Sequence, residues 1–267
     1  MSVHATAIVD PRAELAADVE IGPYAIVGAG VTLGAGVRVG AHAVLEGPTT
    51  VGPETRIFPF ASIGSDAQDL KYRGEPASLV IGARNLFREH VTVNRGTVAG
   101  GGVTRIGDDN LFMAGSHVAH DCTVGNSVVF ANAAALAGHV VVQDRVVLGG
   151  FAGVHQHTRV GRGAMVGAGA MAAQDVPPFT ICQGDRARLF GLNIVGLRRS
   201  GVSFDTLTAL KGAYREIFHG GRPLRIALEQ VRERWANVPE VLDLAAFCEG
   251  SVRGLCRSAG LDAPPQE

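Results

Sequence analysis

"IGPYAIVGAGVTLGAGVRVG", residues 21–40, carries an aliphatic side chain at every sixth position (Ile21, Val27, Leu33, Val39) and a glycine directly after each. That spacing matches neither the 3.6-residue repeat of an amphipathic helix nor the alternation of a hairpin strand. Extended in both directions it takes in Val3, Val9, Leu15, Leu45, Val51, Ile57 and Ile63, eleven successive aliphatic stations in a chain that is 46% hydrophobic. The phase returns at Ile81, Phe87 and Val93, slips by one residue, and resumes at Ile106. From there it runs through Phe112, Val118, Val124, Phe130, Leu136, Val142, Leu148, Val154, Val160 and Val166 to Ala172. Four residues after these heads the side chain is usually small or β-branched, as at Ala25, Val31, Ala43, Cys122, Ala134 and Ala152.

A period of six is the signature of a parallel β-helix of hexapeptide repeats, a mainly β fold. Three hexads close one triangular lap, with the aliphatic head pointing inward and glycine or a polar residue taking the turn, where φ is free to be positive. Two segments break the beat, "SDAQDLKYRGEPASLV" (65–80) and "VAGGGVT" (98–104), and the period recovers after each. They are predicted to be loops ejected from coil corners, where repeat proteins commonly build binding surfaces. The repeat is expected to stop at "QDVPPF" (174–179), since Pro177 and Pro178 cannot donate to a strand ladder. Beyond it, Ser203 is a plausible N-cap for "FDTLTALKGAYREIF", followed by helical patterns in "LRIALEQVRERW" and "VPEVLDLAAFCEG". The expected organisation is therefore a β-helix over residues 1–179 and a C-terminal α-helical domain over 180–267, able to cover one open end of the coil stack.

Composition narrows the function classes. The chain has 24 Lys+Arg against 25 Asp+Glu, a formal net charge of −1, so no general electrostatic case exists for nucleic acid or an anionic membrane. The start lacks a signal peptide's basic and apolar regions, and no stretch is long and apolar enough to span a bilayer, which points to a cytoplasmic protein. The four cysteines form no CxxC pair and are expected to be reduced.

Residues 18 apart should lie directly above one another, and His139 and His157 differ by 18. His120 and His155 fall within two residues of the same stacking, so four dispersed histidines gather at one corner of three adjacent coils. Three chemistries are open to such a cluster: a zinc site of the carbonic anhydrase type, acyl transfer with an imidazole as general base, or a polar ladder on a non-catalytic scaffold. Cys122 occupies an inward small-residue slot and reads as a packed thiol rather than a nucleophile. His117 and His157 read as supporting groups, and His4 and His42 as surface residues.

With these segments in view, the chain resembles the acyl-carrier-protein-dependent UDP-N-acetylglucosamine O-acyltransferases of lipid A biosynthesis. The resemblance is carried by "QDLKYRGEP" (68–76), "NRGTVAGGG" (94–102), "AHDCTVGN" (119–126), "LAGHV" (136–140), "GVHQ" (153–156), "QDVPPF" and "GLNIVGLRR" (191–199). It implies a left-handed coil, a homotrimer, no cofactor and no metal, and transfer of an (R)-3-hydroxyacyl group from acyl carrier protein to the 3-hydroxyl of UDP-N-acetylglucosamine. By the same resemblance His120 is the general base, Asp121 orients it if the chain turns there, and the Gly138 N–H faces the thioester oxyanion. Gln68, Asp69, Lys71, Tyr72, His139, His155, Gln156, Asn193 and Arg199 match substrate-binding positions, and Ala168 matches the place where bulk limits the acyl groove. Its small side chain implies a medium to long acyl chain. Three positions depart from the family pattern: Asn94 stands where some relatives have histidine, keeping hydrogen bonding without an acid or base role, Val195 replaces a common glutamate near the uridine, and Ser200 a frequent basic residue at the carrier-protein contact. The later N-acyltransferase of the same pathway is the nearest enzymatic rival, but it carries an N-terminal domain for which a repeat starting at Val3 leaves no room.

Overall fold

The computed structural model describes residues 1–258; residues 259–267, the end of the expected helical unit, lie outside the described residues. Short strands pair in parallel into three sheets that the chain visits in rotation. Ser2 pairs with Glu20 in the first sheet, Ile8 with Ile26 in the second and Glu14 with Thr32 in the third, each 18 residues on. The hexad heads point inward: Val27, Leu33, Leu45, Ile63, Phe87, Leu136 and Leu148 are all buried in one continuous core. Burying each such side chain stabilises the fold by about 1.5–3 kcal/mol. Inside the first sheet Phe87 and Phe112 stack with ring centroids 4.6 Å apart and Phe130 continues the column 4.7 Å beyond, so the larger heads occupy one side of the prism.

The corners refine the expectation about glycine. The residue three places after most heads adopts the left-handed conformation, and it is often not glycine: Tyr24, His42, Phe60, Asp121, His139, Phe151 and His157 all have φ between 56° and 64°. Glycines directly after a head serve instead for close approach between laps. A Cβ on Gly52 would stand 2.5 Å from the Gly82 carbonyl carbon. Where the beat fails, the ladder itself survives. Ser62 pairs with Thr92, 30 residues on, and Thr92 with His117, 25 on, so the extra residues leave the coil as loops while their flanks stay in register.

The sheet does not stop at the two prolines. Pro177 and Pro178 lie in a corner, where no ladder donor is needed, and the chain re-enters the first sheet at Thr180–Gln183, parallel to Met165–Val166. Arg188–Leu192 then turns back antiparallel, ending the stack with a strand that resists further parallel addition. Among the described residues four helices follow: α1 (Ile194–Arg199), which the periodicity does not announce, α2 (Phe204–His219), α3 (Leu224–Arg234) and α4 (Pro239–Glu249). Ser203 caps α2 as expected, accepting a hydrogen bond from the Thr206 N–H at 3.1 Å. Leu207, Leu210 and Ile217 of α2 join Leu189 and Leu192 in the core, covering this end of the prism. The opposite end is bare, with Val3 at 39% exposure. No helix among the described residues is long and apolar enough to cross a membrane.

Candidate active site

Three consecutive rungs of the second sheet, His117–Val118, Ala135–Leu136 and Gly153–Val154, carry the site. Because each rung turns at the same station, Asp121, His139 and His157 project from equivalent corner positions, and His120 stands one residue before Asp121. The positive φ of 60° at Asp121 solves the problem of sequence neighbours facing opposite ways. Its carboxylate swings back to the preceding ring, and His120 Nδ1 lies 2.8 Å from Asp121 Oδ2. A carboxylate only accepts, so Nδ1 carries a proton, and in the neutral ring Nε2 is the bare nitrogen. The His139 ring meets His120 edge-on at 5.1 Å and stacks on His157 at 4.4 Å, so the histidine ladder forms as its 18-residue spacing requires.

Gly138 is the floor beneath the His120 ring. A Cβ there would fall 2.6 Å from His120 Cε1 and 2.7 Å from Nε2. Among the described residues the Gly138 N–H has no hydrogen-bond partner, while its carbonyl accepts from the His157 N–H at 3.1 Å. Bare imidazole nitrogen and unused amide hydrogen thus sit side by side.

A groove of 630 Å³ runs from these groups along the outside of the second sheet. Gln68, His155 and Gln156 line it with His120 and Gly138, and the apolar stretch is floored by Ala135, Gly153 and Met171 before Arg186 closes the far end. Arg253, on the C-terminal segment, donates to His155 Nδ1 at 2.7 Å, a closer contact than the 3.3 Å between that nitrogen and the Gln156 carbonyl. His117 is held by Thr92 Oγ1 at 2.7 Å from its Nδ1. Burial pushes His117 below the ordinary imidazole value, and the neighbouring His120 adds to this. Burial does the same to His139, opposed by the attraction of Asp121. Burial pushes the Cys122 thiol up to about 12, and it donates to the Ala137 carbonyl at 3.2 Å, as a packed thiol should.

On the first ejected loop Asp69 shapes a turn, Oδ1 accepting from the Lys71 N–H at 2.9 Å and its carbonyl from the Tyr72 N–H at 3.0 Å. Lys71 is exposed and Tyr72 reaches Asp66 Oδ1 at 3.1 Å. Three of the expected positions stand apart within one chain. Asn193 caps α1 and lines a separate 400 Å³ recess with Arg145 and Arg162, Arg199 is exposed at the end of α1, and Ala168 is an exposed corner residue outside the groove lining. Thr97, Thr104, Met171, Arg186 and Arg253 contribute to the site without having been singled out in the sequence. Thr97 lies in "NRGTVAGGG" and Thr104 ends "VAGGGVT", whereas Met171, Arg186 and Arg253 fall in no quoted stretch.

His120, Asp121 and His139 place three potential metal-ligand atoms within 4.8 Å of one another. Tetrahedral zinc with bonds of about 2.0–2.1 Å to nitrogen holds its donors about 3.3 Å apart. Here the Nδ1 to Oδ2 separation of 2.8 Å is that of a hydrogen bond, and Oδ2 already accepts from Thr97 Oγ1 at 2.7 Å. The short contact is a hydrogen bond between the ring and the carboxylate.

Fold and site together define an acyltransferase of the hexapeptide-repeat class: a coiled prism with a carboxylate-bound imidazole and a free amide at the head of an apolar groove. The bacterial transferase hexapeptide (six repeats) family matches residues 12–47, and domain 2 of UDP-N-acetylglucosamine O-acyltransferase matches residues 175–256. A Stenotrophomonas maltophilia acyl-[acyl-carrier-protein]–UDP-N-acetylglucosamine O-acyltransferase is 51% identical over 96% of this chain and 97% of its own. The UDP-N-acetylglucosamine O-acyltransferase of Moraxella catarrhalis superposes with a TM-score of 0.94 at 41% identity, covering 96% of this chain and 100% of its own. That of Francisella novicida gives 0.93 at 30% identity, covering 97% and 95%. The chain belongs to the family of acyl-[acyl-carrier-protein]–UDP-N-acetylglucosamine O-acyltransferases.

Proposed function

We propose that this enzyme moves an (R)-3-hydroxyacyl group from the acyl carrier protein thioester to the 3-hydroxyl of UDP-N-acetylglucosamine in lipid A biosynthesis, with His120 as general base. The observation that carries the assignment is the pairing of a bare His120 Nε2, its Nδ1 fixed 2.8 Å from Asp121, with the unused N–H of Gly138 below the same ring. Nε2 takes the proton of the sugar hydroxyl as its oxygen bonds to the thioester carbonyl carbon. The oxyanion that forms is met by the Gly138 N–H, and Asp121 stabilises the imidazolium. Collapse breaks the carbon–sulfur bond, and the imidazolium returns its proton to the departing thiolate.

Gln68, Asp69, Lys71 and Tyr72 on the first loop, with His139, His155 and Gln156, bind the sugar nucleotide and the pantetheine arm. The acyl chain lies along Ala135, Gly153 and Met171. Asn193, Arg199 and Ala168 act from a neighbouring subunit of a homotrimer, a reading supported by their lying outside the groove lining in a single chain and by the flat faces a triangular prism offers to threefold packing. The coil is left-handed, the chain divides into a coil domain of residues 1–179 and a C-terminal domain of residues 180–267 that opens with two strands added to the coil's first sheet, and the enzyme works in the cytoplasm. The test is acyl transfer by purified protein and its His120→Ala variant. General-base removal lowers kcat by about 10²- to 10⁴-fold, and a variant with wild-type kcat would rule out this base.

A further inference from the structure

The segment Asn94–Thr97 is absorbed by none of the roles above, yet it ties both ejected loops to the His120–Asp121 pair. Asn94 Nδ2 donates to the Asp66 carbonyl at 2.8 Å, and Arg95 donates to the carbonyls of Gly47 and Gly64 at 2.8 and 2.7 Å, pinning the base of the first loop. Two residues on, Thr97 gives both of its donors to Asp121: its N–H to Oδ1 at 2.8 Å and its hydroxyl to Oδ2 at 2.7 Å. The same hydroxyl accepts from the Gly100 N–H at 3.1 Å, so a donating and an accepting role fix its rotamer. Thr104 Oγ1 accepts from the Asp121 N–H at 2.8 Å. Thr97 is 3% exposed and the Asp121 side chain 0%. Gly100 closes the cradle from above, where a Cβ would stand 2.0 Å from Asp121 Cγ.

We infer that Thr97 is a positioning residue: the second ejected loop folds over Asp121 so that Thr97 sets the carboxylate's orientation and, through it, the tautomer and aim of His120. This rests on the reading of His120 as base. A carboxylate rotated away from Nδ1 would let that proton move to Nε2 and silence the ring, while substrate contacts on the first loop and in the groove stay in place.

The test uses the full-length enzyme with acyl carrier protein thioester and UDP-N-acetylglucosamine. Thr97→Val keeps shape and backbone N–H but loses the hydroxyl; kcat should fall about 10- to 100-fold, with both KM values within about twofold of wild type. Thr97→Ser, which restores the hydroxyl, should recover most of kcat. Gly100→Ala leaves every donor intact and displaces the carboxylate sterically, so it should lose kcat by a similar factor. Wild-type kcat in Thr97→Val or Gly100→Ala, alongside an inactive His120→Ala, overturns the tether alone. An active His120→Ala overturns the base assignment and the tether's meaning with it. A loss in Thr97→Val that serine fails to recover also overturns the inference.

Discussion

Gly138→Ala places one methyl group against the reacting edge of His120 while leaving the proposed oxyanion donor intact. The added carbon would stand 2.6 Å from Cε1 and 2.7 Å from Nε2, with Nδ1 farther off at 3.2 Å. Relaxed contact between such atoms needs about 3.5 Å, so the ring's outer edge must retreat by about 0.8 Å or tilt about its bond to Asp121. Misplacement on the scale of 1 Å costs about 10²-fold in rate, equivalent to about 2.7 kcal/mol of barrier. Because Gly138 does not occupy the left-handed region, alanine carries no backbone penalty there, and the folding cost is confined to crowding, about 1–3 kcal/mol. Steady-state acyl transfer should therefore show kcat down about 30- to 100-fold with KM for UDP-N-acetylglucosamine nearly unchanged and a folded protein by thermal unfolding. A variant that keeps kcat within about threefold of wild type would refute the placement of His120 over Gly138 and the catalytic geometry built on it.

Other expectations follow from the same structure. Cys122, buried and with its thiol pushed up to about 12, should resist a maleimide in the native enzyme at neutral pH and react only after unfolding, as mass spectrometry would report. His117 and His139 are both held below the ordinary imidazole value of 6.5, so the unfolded chain takes up protons more readily than the folded one. Their contribution to stability is whole above 6.5 and is lost as pH falls through the depressed folded values, so the urea midpoint should drop from pH 7.5 to 5.5, less so in His117→Gln; an equal drop in that variant would count against the assignment. Gly153 floors the groove, where an added Cβ already meets Met171 Sδ at 2.6 Å; Gly153→Leu should shift preference toward shorter acyl chains, and an unaltered chain-length profile would place the acyl group elsewhere. The wild-type enzyme, with alanine at 168, should prefer medium to long chains over short ones in the same assay.

Much of this was legible in the residues because a fixed period converts sequence distance into spatial proximity. The spacing of His120, His139 and His157 is enough to put their rings in contact, and the unbroken heads on either side of residues 65–80 are enough to eject that loop. The same arithmetic is silent wherever the chain leaves the coil. Thr97 reaches Asp121 from an irregular loop and Arg253 reaches His155 from 98 residues away, and neither contact has a period to announce it. The strands after Pro178 escaped notice for a related reason, since a corner tolerates proline where a ladder does not.

The corner stations have a consequence for how this site can change. Asp121, His139 and His157 each hold a left-handed backbone that costs an ordinary residue about 1–2 kcal/mol, and glycine fills the corresponding station elsewhere at Gly115, Gly163 and Gly169. A drift toward glycine at His139 or His157 would relax the main chain while removing the rings that stack in a column beside His120. Screens that reward heat resistance alone should therefore enrich just those replacements, and the survivors should be sturdier proteins that turn over poorly.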